Sequence, residues 1–236
     1  MPTLASIKKQ LYALADPKRA KILQRFFKTG KGEYGEGDKF IGVTVPLIRS
    51  LVKQSRDLEI KDIKKLVCSP IHEERMLGLL SLVSLYQKGD AATKAAVFKA
   101  YVTSRKFINS WDLVDLTAPH ILGAYLTDDH SLLHKWSESK NLWERRMAML
   151  AMFYEIKRQN HQPAIIMADK LLHDEHDLIH KAVGWMLREV GKRCDEQILE
   201  EFLKTRHKTM PRTMLRYAIE KFPEKKRQQY LNPPTP

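Results

Sequence analysis

The chain has only two cysteines in 236 residues, Cys68 and Cys194. They lie far apart in sequence and fit no zinc or redox spacing, so they read as reduced thiols of a cytosolic protein. No apolar run reaches the roughly 18 residues of a membrane span. The N-terminal stretch Met1–Lys9 has no apolar core of the kind a signal peptide needs. Alternating apolar–polar segments joined by Asn-Gly or Asp-Gly turns are missing, which excludes a hairpin-built sheet protein. Zinc motifs and glycine-rich nucleotide loops are missing too, and the histidines lack metal-ligand spacing.

What remains is helical. Apolar residues recur at three- and four-residue intervals, with 43% hydrophobic content to supply a core. Helices are expected at 5–14, 17–28, 45–55, 59–68, 71–88, 91–104, 109–117, 119–127, 130–138, 142–158, 162–173, 177–192, 195–204 and 210–221. Pro46, Pro70, Pro119, Pro163 and Pro211 fall near proposed starts, where a missing N–H costs little. The long irregular stretch is 29–43, rich in glycine and charge. Long amphipathic helices open at Glu74-Arg75-Met76-Leu77, Arg145-Arg146-Met147-Ala148 and His180-Lys181-Ala182-Val183. Their spacing, near 35 residues or twice that, is the size of a stacked helix-pair repeat. Such pairs build an α-solenoid with a concave face. One domain is expected over 1–225, with a basic and then proline-rich tail, 226–236, that frays.

Charge is lopsided. The net charge is +13. Residues 1–70 carry 15 Lys+Arg against 7 Asp+Glu, residues 71–180 carry 13 against 14, and residues 181–236 carry 13 against 7. A neutral centre between two basic ends suits a clamp on a polyanion.

Residues 110–115, Ser-Trp-Asp-Leu-Val-Asp, carry the most specific chemistry. On a helix, Trp111 and Asp115 share one face, while Leu113, Val114 and Thr117 point toward a core. An indole beside a carboxylate can hold a cation, through ring quadrupole and full charge together. In the 142–158 helix, Trp143, Met147, Leu150, Ala151 and Tyr154 form the core stripe. Arg145 projects opposite it into solvent, and Arg146 lies at its edge, able to reach a groove floor. In the 177–192 helix, Ile179, Val183, Met186 and Val190 form the stripe, and Trp185 lies well around from it. Trp136 and Trp143 read as packing residues.

Four segments together resemble the AlkD family of bacterial DNA alkylation repair glycosylases. They are Phe40-Ile41-Gly42-Val43-Thr44-Val45-Pro46, Ser110–Asp115, Asn141-Leu142-Trp143-Glu144-Arg145-Arg146, and Lys181–Glu189. The resemblance runs from about 20 to 225. It implies an all-α solenoid of HEAT-like helical repeats with DNA along the concave face. It also implies removal of positively charged N3- and N7-alkylated purines. Asp115 would be the catalytic carboxylate, Trp111 and Trp185 would contact sugar and backbone near the lesion, and Arg146 would share that cleft. Thr44 falls where the family can place a polar DNA contact. Apart from the resemblance, the basic charge itself makes Lys181, Arg188, Lys204, Arg206, Lys208 and Arg212 expected DNA contacts. The histidines, His180 and His207 among them, have no metal-ligand spacing and are expected to be surface or DNA-facing groups. Two features depart from the family archetype. Ser110 stands where it has another Trp, and the loop Gly32–Lys39 is longer and more acidic.

The expected protein is a cytoplasmic monomer acting on duplex DNA with alkylated bases, without cofactor, metal or membrane. Two alternatives stay open: a catalytically silent binder of distorted or branched DNA on the same fold, and a helical-repeat scaffold for an acidic protein.

Overall fold

The structure, a computed structural model, describes residues 3–232. Those residues form an all-α helical-repeat fold whose one strand-like feature is an isolated bridge between Lys39 and Ile71. The helices fall into two compact units, one ending at Ile121 and one beginning at Leu122.

The first unit holds α1 (Leu4–Ala13), α2 (Pro17–Phe26), α3 (Val45–Gln54), α4 (Ile60–Val67), α5 (His72–Lys88), α6 (Ala91–Thr103) and the short α7 (Trp111–Asp115). The second holds α8 (Ser131–Ser137), α9 (Leu142–Ala151), α10 (Phe153–Lys157), α11 (Gln162–Lys170), α12 (Asp177–Arg193), α13 (Glu196–Arg206), α14 (Arg212–Ala218) and α15 (Glu224–Leu231). The start residues of α5, α9 and α12 lie 70 and 35 positions apart, which is the repeat spacing expected from the sequence. α15 is helical where the tail was expected to fray; residues 233–236 of that tail lie outside the described residues.

Helix starts are set by local chemistry. Thr3 caps α1 through Ser6, and Asp16 accepts from the N–H groups of Lys18 and Arg19 at the start of α2. Asn141 and Asp195 do the same for α9 and α13. The expected helix 142–158 is broken at Met152 into α9 and α10. Backbone packing accounts for one close approach in the second unit. A Cβ on Gly184 of α12 would stand 2.4 Å from the Met214 carbonyl oxygen of α14, so only glycine lets these two helices meet.

α5 was expected to be amphipathic, but it is buried almost all round. Every residue from His72 to Val83 is buried, because α3, α4 and α6 pack against it. Its first turn therefore carries buried charge. Acidic groups suit a helix N-terminus, and each has a partner. Glu73 accepts from the backbone N–H of Ile41 (3.0 Å), Gly42 (2.7 Å) and Val43 (3.3 Å). Glu74 accepts from the Tyr12 hydroxyl at 2.9 Å and pairs with Lys8 at 2.8 Å. Gly42 has φ +87°, and a Cβ there would meet the Asp16 carbonyl oxygen at 2.1 Å. The latch formed by Glu73 thus depends on a glycine at its centre.

Glu73→Ala leaves three N–H groups without their acceptor, two of the three bonds being fully buried. At about 1–3 kcal/mol for each unmet buried donor, the expected loss is about 3 kcal/mol or more. Urea denaturation measures it. A loss under about 1 kcal/mol, the size of one ordinary hydrogen bond, would mean that water replaces the carboxylate.

Candidate active site

α7 has five residues, too few to hold a helix unaided. Its placement depends on anchors in the first unit. Leu113, Val114 and Thr117 are fully buried, as their positions on the helix predicted. The Thr117 hydroxyl donates to the Leu113 carbonyl at 2.5 Å and meets the Tyr101 hydroxyl at 2.8 Å. Burial of Tyr101 pushes its phenol up; the Thr117 hydrogen bond opposes that shift and the Asp115 charge adds to it.

Trp111 is half-buried, not wholly on an open face. Its indole stacks on Phe27 with centroids 5.0 Å apart and planes at 17°. Phe27 stacks in turn on Phe40 (5.0 Å, 22°), and Phe40 on the His72 ring (4.3 Å, 22°). Phe26, 61% exposed, meets Trp111 edge-on at 5.9 Å. α2 buries none of its residues and shows solvent a stripe of Lys18, Lys21, Ile22, Arg25 and Phe26. This basic and aromatic stripe beside Trp111 was not singled out from the sequence. Its signal was the run Lys-Arg-Ala-Lys-Ile-Leu-Gln-Arg-Phe-Phe, in which charge and aromatics fall at helical spacing.

The two carboxylates of α7 differ in setting. Asp112 points back into the protein, where its Oδ2 lies 2.9 Å from His72 Nε2 and its Oδ1 accepts the Leu113 N–H. Asp115 is half-exposed at the other end of the same short helix. His72 Nδ1 lies 2.8 Å from Asp38, and Asp38 accepts both its bonds to Arg75 at 2.8 Å. His72 is buried, not a surface or DNA-facing group. Burial alone would lower its pKa; the Asp112 and Asp38 carboxylates outweigh that and hold it up to about 9. Burial would raise Asp38, but His72 and Arg75 keep it below the usual carboxylate range. His180 and His207 are likewise half-buried and bonded inward, to the carbonyls of Asp174 and Leu203.

The other candidates lie mostly in the second unit. Arg146 is buried, and its guanidinium donates to the Leu178 carbonyl in the first turn of α12. Arg145 is not solvated: it holds Asp174 at 2.6 Å and the Ser139 carbonyl at 3.0 Å. Trp136 and Trp143 are buried packing residues, as expected. Trp185 is half-exposed; its Nε1 donates to Glu189 at 3.3 Å and its ring lies 6.0 Å from Phe153. Lys181, Trp185 and Arg188 follow one face of α12. Lys181 pairs with Asp177 at 2.7 Å, and Arg188 pairs with Glu220. Arg206 pairs with Asp169 at 2.6 Å, and Arg212 donates to the Leu231 carbonyl at 2.8 Å. Lys204 and Lys208 are exposed. Thr44, in the first unit, is the N-cap residue of α3 without a side-chain capping bond.

Among the described residues, no group of three His, Cys, Asp or Glu is placed to hold a metal ion. No helix there is long and apolar enough to cross a membrane.

Fold and site together define an all-α helical-repeat protein with an indole and a carboxylate on one short, well-anchored helix. The chain belongs to the family described as DNA alkylation repair enzyme, whose sequence profile matches residues 7–222. A solved structure described as a predicted DNA alkylation repair enzyme from Enterococcus faecalis is similar, at TM-score 0.69 and 17% identity. The similarity covers 89% of this chain and 97% of that one, and at such identity it speaks to fold alone. A comparison with curated proteins finds no match.

Proposed function

We propose that this chain is a monofunctional DNA glycosylase that hydrolyses the N-glycosidic bond of N3- and N7-alkylated purines in duplex DNA. It works as a monomer without cofactor. The observation that carries this reading is the placing of half-exposed Trp111 and half-exposed Asp115 four residues apart, at the two ends of the short α7. N-alkylation makes the purine a cationic leaving group, so the bond breaks with little acid assistance. Positive charge then builds on the deoxyribose. A fixed carboxylate stabilises that charge and can orient the attacking water. An indole face beside the sugar adds cation–π attraction. Asp115 and Trp111 fill these two roles. The test is incubation with duplex DNA carrying N7- and N3-methylpurines, scored for released base. No release above the uncatalysed rate, with duplex binding intact, would leave a silent DNA-binding member of the family.

Trp185 belongs to this reading as a contact to the DNA backbone. A buried Trp→Ala change costs about 3–5 kcal/mol. Trp185 is half-exposed, so Trp185→Ala should cost less than that in chemical denaturation while lowering base release. A stability loss of the full size together with unchanged release would return Trp185 to the core.

A further inference from the structure

His72 sits between two carboxylates, and that geometry constrains its protonation. An ionised carboxylate only accepts hydrogen bonds. Asp38 stands 2.8 Å from Nδ1 and Asp112 stands 2.9 Å from Nε2. A neutral imidazole has one N–H, so either tautomer would turn a lone pair toward one of these anions. Only the imidazolium donates to both. The other charged groups nearby are accounted for. Arg75 grips Asp38, Glu73 is turned to the backbone of residues 41–43, and Glu74 is bound by Tyr12 and Lys8. One face of the ring is stacked on Phe40, and Phe27 lies tilted beside it at 5.3 Å. The ring is thus a strut from α5 to the first turn of α7, and α7 is too short to keep its own place.

We propose that His72 is a positioning residue for the candidate site: as an imidazolium held between Asp38 and Asp112, it fixes the first turn of α7 and so the placing of Trp111 and Asp115. Loss of the ring proton releases that turn and slows base release. The rate part of this inference rests on the proposed glycosylase activity; the positioning part does not. The ring pKa, held up to about 9, puts the transition in an accessible range. The sign follows from linkage. A raised histidine pKa contributes stability that is fully present below the unfolded value, near 6.5. It is lost as pH rises through about 9.

The experiment uses the full chain. Nitrogen-15 NMR follows the His72 ring from pH 6 to 10.5, and the Trp111 indole N–H signal, assigned with Trp111→Phe, is followed alongside. The two should move together, with one midpoint. Single-turnover release of N7-methylguanine should fall across the same step. His72→Gln, measured at pH 7.5, should lose about 10²-fold in rate, the scale of an ångström of misplacement. Its duplex affinity should change by less than about threefold, since no phosphate contact is touched. Asp112→Asn gives the test that a merely structural role would not pass. An asparagine amide can donate to a neutral ring, so the alkaline step in the Trp111 signal should disappear. A Trp111 signal that ignores the His72 titration overturns the proposal. So does an alkaline step that persists in Asp112→Asn. If His72→Gln does not fold, the wild-type titration still decides. If wild type releases no base at any pH, the glycosylase reading fails, while the coupled NMR step still tests positioning.

Discussion

Asp115→Asn should slow base release by about 10²–10³, the typical effect of removing one preorganised electrostatic partner of the transition state. Fold and duplex affinity should persist, because the change keeps the side-chain shape and the α7 anchors at Leu113, Val114, Thr117 and Asp112. The loss should be larger for N7-methylguanine than for N3-methyladenine, which leaves more easily unaided. Asp112→Asn is the informative comparison. Its carboxylate faces His72, so any effect on rate comes through the placing of α7. Single-turnover rates for both lesions, with wild type and both variants, measure the difference. Near-wild-type rates for Asp115→Asn on both lesions would remove it from the mechanism.

The second large effect concerns salt. Neutralising six to ten phosphates makes duplex affinity fall by about 10³–10⁵-fold between 50 and 200 mM salt. A net charge of +13 carried mainly at the two ends of the chain supports binding of that kind. The structure refines which cations should matter. Lys204 and Lys208 are exposed, and reversing either should lower affinity for every sequence and reduce the log–log slope by about one unit. Arg206 and Arg212 already have partners, Asp169 and the Leu231 carbonyl. Reversing Arg206 also strands Asp169, so its effect mixes stability with affinity. The Lys21 and Arg25 stripe on α2 should behave like Lys204. Fluorescence anisotropy across a salt series reads these slopes. Affinity that is flat from low to physiological salt would exclude the clamp and favour a scaffold for another kind of partner.

Much of the fold was readable from the chain because helices announce themselves locally. The core trio Leu113, Val114 and Thr117 followed from spacing alone, as did the off-stripe position of Trp185. The 35-residue interval between α9 and α12 was visible for the same reason. The failures share a cause. Asp38, His72 and Asp112 lie 34 and 40 residues apart, and no period connects them, so the histidine read as a surface group. Arg145 was placed in solvent by helical angle only. Its partner, Asp174, comes from a later segment. α5 read as amphipathic, but in the folded chain its charges face Asp38, Asp112, Tyr12, Lys8 and the backbone of residues 41–43. Sequence periodicity tells which side of a helix is apolar; it does not tell whether a charged side meets water or another ion.

The acidic loop has a consequence for how such a chain can vary. Only one of its three acids is turned inward. Glu33 accepts from the Gly30 N–H and Glu36 from the Gly32 N–H, both on the exposed side of the loop, whereas buried Asp38 accepts from Arg75. Beyond Asp38, Glu73 fastens residues 41–43; before the loop, Phe27 is locked in the ring stack. The segment between is therefore a closed loop with both ends moored to the core. Lengthening such a loop costs only about 0.6 kcal/mol per doubling of its length. Insertions at the exposed tip, residues 31–33, would thus be nearly neutral for α7, whereas a single change at Asp38 would be felt there at once. Tolerance and sensitivity lie only a few residues apart in this stretch.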